Sequence, residues 1–278
     1  MSEILITGAE GFIGSHLMKY YGYRASALKS NITDTQAVKQ EVEVINPSVI
    51  IHCAALKDVR WCEEHQLETM KTNVYGTQYL GCLTGPASKD LPPKKDMKFI
   101  FLSSDMVFSG KKGNYDPTDH PDPTTVYGQS KYEAERFTEQ LFDYAIVRTS
   151  AVYGHTKSNI FVNWLISELE QGHEVEVFDN YINSPTYVWN LCEMIDRVTN
   201  IKYCHDTYHL AGSERISKYD FAIKLAEVFG YNKKLIKPIQ YKEKVDISLG
   251  VLAEQHALEI DFNDVETGLK RMWKDGGN

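Results

Sequence analysis

No stretch of this 278-residue chain approaches the ~20 consecutive apolar residues that a membrane-spanning helix needs. Its first residues run straight into a short apolar segment, so no signal peptide is expected either. Excess positive charge is also missing. A net charge of −8 and a pI near 5.6 argue against a nucleic-acid or membrane-surface binder. The five cysteines (53, 62, 82, 192 and 204) are odd in number and scattered, which suits a reducing cytoplasm. Cys204, His205 and His209 stand close together, but no second ligand pair lies at zinc spacing, so no metal is expected. Internal repeats, low-complexity tracts and blocks of like charge are absent too.

What the chain does have is alternation. Ile4, Leu5 and Ile6 form an apolar run fit for a strand buried on both faces, and SHLMKYY after it reads as a helix. YRASAL reads as a second strand, PSVIIHCAA as a third, and CEEHQLETMKTNVYGTQYLGCL as one long helix. MKFIFLSS, TVYGQSKYEAERFTEQLF and YAIVRTS continue the series as strand, helix and strand. TGPASKDLPPKKD, residues 84–96, reads as a surface loop. The pattern predicts an α/β fold with a doubly wound, Rossmann-type parallel sheet. Past residue 150 the alternation weakens. Residues 1–152 are therefore expected to form a dinucleotide-binding domain. Residues 153–278 are expected to form mainly a small substrate-binding lobe, with some segments returning to the first domain.

Gly8, Gly11 and Gly14 follow the first strand at the point where a pyrophosphate must approach the backbone with no Cβ in the way. The helix that follows offers free N–H groups and a partial positive charge to that anion. An NAD site usually places Asp or Glu at the end of the second strand, about 20 residues past the glycines. Here Lys29, Ser30 and Asn31 follow instead, and the first acid, Asp34, reads with Thr33 as the N-cap of the next helix. Lys29 or Arg24 could neutralise a 2′-phosphate, or either could be a solvated surface residue. NADP is the expected cofactor, with NAD as the alternative.

Tyr127 and Lys131 are four residues apart, so a helix puts them on one face. A free tyrosine has a pKa of about 10, and a neighbouring ammonium is expected to lower it toward the working range. Ser104 ends a strand, and in parallel sheets ligands sit at the carboxyl ends of strands. The three together can donate a proton to a carbonyl oxygen, orient that oxygen and hold a cofactor ribose. The ordered set points to a nicotinamide-dependent enzyme acting on a carbonyl or alcohol.

These residues resemble the extended short-chain dehydrogenases/reductases, and most of all their dTDP-4-dehydrorhamnose reductase branch. The most specific stretch is SSDMVFSGKKGNYDPTDHPDPTTVYGQSKYEAER; VRWCEEHQLETMKTNVYGT, AIVRTSAVYG, NSPTYVWNLCEMI and YHLAGSERISKYDFA also match in type and order. The resemblance implies catalytic roles for Ser104, Tyr127 and Lys131. It implies pyrophosphate contacts from Gly8, Phe12, Ile13 and Gly14. Cys53, Ala54, Ala55 and Lys57 would lie along the cofactor with Asn73 nearby, and Gly11, Lys29, Asn31 and Ile32 complete the expected cofactor set. Ser104, Asp105, Met106, Ala151, Pro185 and Thr186 are the expected substrate residues.

Three positions depart from the branch, all on the substrate side. Met106 stands where Tyr is usual, Ala151 where Trp is usual, and KEKVDISL lacks an expected Arg-Pro. A 4,6-dehydratase needs an adjacent Asp-Glu pair, and Asp105 is followed by Met106, which argues against dehydration. The implied activity is NADPH-dependent reduction of a nucleotide-diphosphate 4-keto-6-deoxy sugar by a cytoplasmic protein, possible as a homodimer. Two alternatives stay open: a nucleotide-sugar epimerase using the same Ser/Tyr/Lys set, and a non-catalytic NADP-binding subunit like the regulatory subunit of methionine adenosyltransferase.

Overall fold

A computed structural model describes residues 3–85, 97–155 and 160–276. The expected surface loop at 84–96 lies outside the described residues save for its first two. The chain divides into two compact units. The first comprises Met1–Phe108, His120–Arg148 and Ile195–Tyr208; the second comprises Ser109–Asp119, Thr149–Met194 and His209–Asn278.

The first unit is built on a six-stranded sheet. Its strands are β1 (Ile4–Thr7), β2 (Ala25–Ala27), β3 (Val49–His52), β4 (Lys98–Ser104), β5 (Tyr144–Thr149) and β6 (His205–His209), in the spatial order β6-β5-β4-β3-β1-β2. β1 pairs in parallel with β2 and with β3, and β3 in parallel with β4. This is the doubly wound α/β arrangement expected of a Rossmann-type fold. The apolar runs become strands with every residue of β1, β3 and β4 buried, as a sheet covered on both faces requires. Leu5, Ile50, Phe99, Phe101 and Ile146 alternate along their strands onto one face. There they join Val38 and Val42 of helix α2 (Thr35–Ile45) and Leu80 and Ala134 from two later helices in one core.

Three boundaries differ from the sequence reading. Helix α1 (Phe12–Tyr21) starts three residues earlier, directly after Gly11, which serves as its N-cap. β2 is shorter than YRASAL, because Gly22–Arg24 close a 3₁₀ turn first. The long helix from Cys62 to Leu83 is not continuous. It breaks at His65, whose ψ of 58° is not helical, into α3 (Val59–Glu64) and α4 (Gln66–Thr69). It then passes through a π-helical segment, Met70–Tyr75, before α5 (Gly76–Cys82). π-helical turns carry an extra residue per turn and occur often at functional sites; this one holds Asn73.

In the second unit, Val152–Tyr153 pairs in parallel with Thr186–Tyr187, and Tyr181–Asn183 is the middle of a three-stranded sheet. Helix Lys218–Phe229 begins at Ser217, whose hydroxyl accepts the Asp220 N–H, and ends at Gly230 in the left-handed region. The rings of Tyr153 and Phe221 meet edge to face, 5.1 Å apart, in this unit's core. Among the described residues no helix is long and apolar enough to cross a membrane.

Candidate active site

Parallel pairing brings the carboxyl ends of β1, β3 and β4 to one edge of the sheet. Thr7 is in register with His52, and His52 with Phe101. Gly8, residues 53–57 and Ser104 therefore leave the sheet at the edge where open α/β folds hold ligands.

Gly8 has a φ of 63° and lies so close to β3's exit that a Cβ would sit 2.8 Å from the Ala54 backbone. A Cβ on Gly14 would fall 2.2 Å from the Gly8 carbonyl oxygen. The Gly8 carbonyl also accepts the Gly11 N–H at 2.9 Å, closing the turn. The α1 N-terminus has no side-chain cap and no acid in its first turn. Its first amides are left to an anion, which a side-chain cap would have displaced. Phe12 is buried and Ile13 is partly exposed at this end. The cradle therefore fits a dinucleotide pyrophosphate.

At the end of β2 the sequence reading missed an acid. Glu41, from α2, accepts the Lys29 N–H at 2.8 Å, the Ser30 N–H at 2.9 Å and the Ser30 hydroxyl at 2.6 Å. These bonds hold its carboxyl below the usual range, against the burial that would raise it. The carboxylate is consumed in shaping the turn, and nothing local in the sequence marks it, since it arrives from the middle of a helix. Lys29 is exposed, whereas Arg24 is paired with Glu3 at 3.1 Å. Of the two basic candidates for a 2′-phosphate, Arg24 is thus already engaged. Asn31 accepts the Thr33 N–H and hydroxyl, Ile32 is buried against Gly76, and Asp34 caps α2 as its spacing foretold.

Residues 53–57 are clamped from two sides. The Ala54 N–H is accepted by Thr7 Oγ1 at 3.1 Å. Asn73, buried, accepts the Leu56 N–H at 2.8 Å through Oδ1 and donates from Nδ2 to the Leu56 carbonyl at 2.9 Å. Cys53 and Ala55 are half-buried and Lys57 is exposed. Burial pushes the Cys53 thiol up to about 12, with Lys131 pulling the other way, so it stays an inert thiol at neutral pH.

Tyr127, Lys131 and Glu135 form a column, one turn apart, on helix α6 (Val126–Thr138). The helix starts sharply: Thr125 accepts the Gly128 N–H at 3.0 Å, and Glu63 accepts the Val126 N–H at 2.8 Å. The Tyr127 phenol lies near enough to Ser104 for that hydroxyl to favour its ionised form. Ser104 in turn donates to Asp105 at 3.0 Å and accepts the Met106 N–H at 3.2 Å. The structure thus brings together Ser104, Asp105, Met106, Tyr127 and Lys131.

The electrostatics differ from expectation. Lys131 was expected to lower the Tyr127 phenol, but in the chain alone burial pushes that phenol up to about 12; the nearby Ser104 hydroxyl opposes the rise, while Asp105 and Cys62 add to it. The lysine is itself desolvated. Burial brings its ammonium down to about 8, against the pull of Glu135 and Cys53, and Nζ lies 4.1 Å from the Phe101 ring centre. Glu135 is held by Arg148 in a two-pronged pair at 3.0 and 2.8 Å and by the Ser103 hydroxyl, all buried. That pairing keeps its carboxylate fixed one turn below Lys131.

Gly128 is the tightest joint between α6 and the end of β4. A Cβ there would stand 2.2 Å from the Met106 carbonyl oxygen and 3.1 Å from Pro123 Cβ. Gly128→Ala should therefore lower the stability of the chain by about 1–3 kcal/mol and draw Tyr127 away from Ser104. Urea denaturation checks this: the midpoint should fall with an unchanged slope, and an unshifted midpoint would contradict the contact.

The remaining expected substrate residues lie in the second unit. Ala151 is exposed and held at a φ of 41°, an unusual backbone state for a residue with a Cβ. The Thr186 hydroxyl is buried, donating to the Ser150 carbonyl at 2.8 Å and accepting the Gly212 N–H at 3.1 Å. The Pro185 carbonyl packs on Gly212, where a Cβ would stand 2.0 Å away. Ala151, Pro185 and Thr186 thus come together around the pairing of Val152–Tyr153 with Thr186–Tyr187.

Comparison with known proteins agrees with this architecture. Residues 1–247 match the family described as "RmlD substrate binding domain". The chain is 31% identical over 241 residues to the dTDP-4-dehydrorhamnose reductase of Aggregatibacter actinomycetemcomitans, covering 81% of this chain and 78% of the relative. It is 27% identical over 258 residues to methionine adenosyltransferase 2 subunit beta of Danio rerio, covering 85% and 77%. The crystal structure of dTDP-4-dehydrorhamnose reductase from Bacillus anthracis in complex with NADP superposes with a TM-score of 0.88 at 27% identity, over 99% of this chain and 100% of that one. The chain therefore belongs to the RmlD substrate binding domain family and is an NAD(P)-dependent oxidoreductase of the extended short-chain dehydrogenase/reductase type.

Proposed function

We propose that the chain uses NADPH to reduce a nucleotide-diphosphate 4-keto-6-deoxy sugar, as dTDP-4-dehydrorhamnose reductases do. One observation carries the reading: Tyr127 and Lys131 stand one turn apart on α6, with the Tyr127 phenol beside Ser104 at the carboxyl edge of the sheet. NADPH, when bound, supplies the hydride. Gly8, Gly11, Phe12, Ile13 and Gly14 hold its pyrophosphate, and Cys53, Ala54, Ala55 and Lys57 line its path, with Asn31, Ile32 and Asn73 supporting them. Tyr127 is loaded with a proton at neutral pH, as a donor to a carbonyl oxygen must be. Ser104 orients that oxygen, and Lys131 supplies the positive charge that eases the phenol's release of its proton.

In the first unit, Asp105 and Met106 are the proposed sugar contacts next to Ser104. For the second unit we assign substrate binding to Ala151, Pro185 and Thr186. Met106 and Ala151 replace bulkier aromatics of the branch, so the sugar accepted is expected to differ from that of a rhamnose-forming reductase. Lys29 is assigned the 2′-phosphate. Separate titrations should show tighter binding of NADPH than of NADH, and Lys29→Glu should erode the difference about tenfold, because a carboxylate repels the phosphate. A preference for NADH that Lys29→Glu leaves unmoved would overturn the assignment.

A second reading is favoured by the likeness to methionine adenosyltransferase 2 subunit beta: the chain would bind NADP and serve a partner enzyme. Thermal-shift screening with dTDP, UDP, GDP and CDP separates the two. Stabilisation by one nucleotide class supports the reductase; no shift with any, together with recovery of a stoichiometric partner, supports the subunit.

A further inference from the structure

His52 ends β3 in the middle of an apolar run, is fully buried, and plays no part in the proton transfer described above. Its Nδ1 lies 2.7 Å from Thr7 Oγ1 and its Nε2 lies 2.8 Å from Thr77 Oγ1. Counting protons fixes the direction of both bonds. Thr77 has a single hydroxyl proton and gives it to the Asn73 carbonyl at 2.7 Å. It can only accept from His52, so Nε2 carries the ring proton. A neutral ring then leaves Nδ1 bare, and Thr7 donates to it while accepting the Ala54 N–H. Every donor in this chain has one acceptor. An imidazolium would leave the Thr7 hydroxyl proton without one, and the ring lies between Phe99 and Phe101, with Lys131 as the nearby charge that disfavours a second cation.

We infer that His52 is a positioning residue, locked as the Nε2–H tautomer, that couples the two clamps on residues 53–57 to each other and to helix α6. One clamp is Thr7 on Ala54. The other is Asn73, which holds both backbone groups of Leu56 and donates at 2.9 Å to Ser130, whose hydroxyl caps the Tyr127 carbonyl at 2.7 Å. Thr7, His52, Asn73, Thr77 and Ser130 are all buried, so water cannot replace a lost link. The inference rests on the proposed cofactor reading only in its binding consequence; the tautomer stands on geometry alone.

Nitrogen-15 NMR of the imidazoles, with His52 assigned by its loss in His52→Gln, tests the tautomer. The expected result is a protonated Nε2 and a bare Nδ1, unchanged between about pH 5.5 and about pH 8, where an ordinary imidazole changes charge. A proton on Nδ1, or titration within that range, would overturn the inference. Coupling is tested by NADPH affinity in a double-mutant cycle. An Asn amide at 52 reaches the Thr7 side and a Gln amide the Thr77 side. His52→Asn and Thr77→Val break the same link, so each should weaken NADPH binding about five- to tenfold and the pair no more than either alone. His52→Gln breaks the other link of the same chain, so it too should add nothing to the effect of Thr77→Val. Additivity in either pair contradicts coupling of the two clamps through His52. If the wild-type chain fails to bind NADPH, the cofactor reading falls, and the NMR result alone decides for His52.

Discussion

Tyr127→Phe should lower turnover by about 10²-fold or more while leaving NADPH affinity nearly unchanged. The substitution removes only the hydroxyl, and the ring keeps its half-buried place in the first turn of α6. The hydroxyl is the group beside Ser104 and the one loaded with a proton, so its loss removes the acid without disturbing the glycine cradle on α1. Steady-state kinetics and a separate NADPH titration check the two halves. Turnover close to wild type would sink the assignment of the proton donor. The pH profile supplies a sign as well. Lys131 must be charged to assist Tyr127, and its ammonium is held at about 8, so activity should decline as pH rises through that value.

Lys131→Met should make the chain more stable and less active at once. The native lysine titrates at about 8 against 10.5 when unperturbed, so below pH 8 it is charged in both folded and unfolded states and burial penalises the fold. Between these two values the folded chain has shed the proton and the unfolded chain has not, so the penalty fades as pH rises and is gone above the unfolded value. Methionine fills similar volume beside Phe101 without the charge. The variant should therefore gain on the order of 2–3 kcal/mol at pH 7, with the gain vanishing toward pH 10.5. Denaturation curves at pH 7 and near pH 10 test this. A variant less stable than wild type at pH 7 would mean that the Glu135 and Phe101 contacts outweigh desolvation. Activity should fall by a factor comparable to that for Tyr127→Phe, because strain-free stability is gained at the expense of a charge the chemistry uses.

Much of this was legible in the sequence because the relevant physics is local. A run such as ILI or FIFLSS can be buried on both faces only in a covered parallel sheet, and four-residue spacing places Tyr127 with Lys131 wherever α6 lies. Asp34 as an N-cap was legible for the same reason. What escaped depends on residues distant in sequence. Glu41 reaches the end of β2 from a helix that begins six residues after Lys29, and no pattern marks it. The break at His65 and the π-helical turn carrying Asn73 are hidden in a segment whose composition reads as one helix. The rise of the Tyr127 phenol follows from burial around both it and Lys131, which spacing does not encode. His52 did leave a trace, a polar ring inside VIIHCAA, but its partners Thr7 and Thr77 are 45 and 25 residues away.

The most direct test of the proposed activity is to follow NADPH absorbance with the purified chain across a panel of 4-keto-6-deoxy sugars carrying dTDP, UDP, GDP or CDP, beside a control without sugar. The expected result is sugar-dependent consumption of NADPH with one nucleotide class, abolished in Tyr127→Phe. NADPH that binds but is not consumed with any member of the panel would contradict the reductase reading.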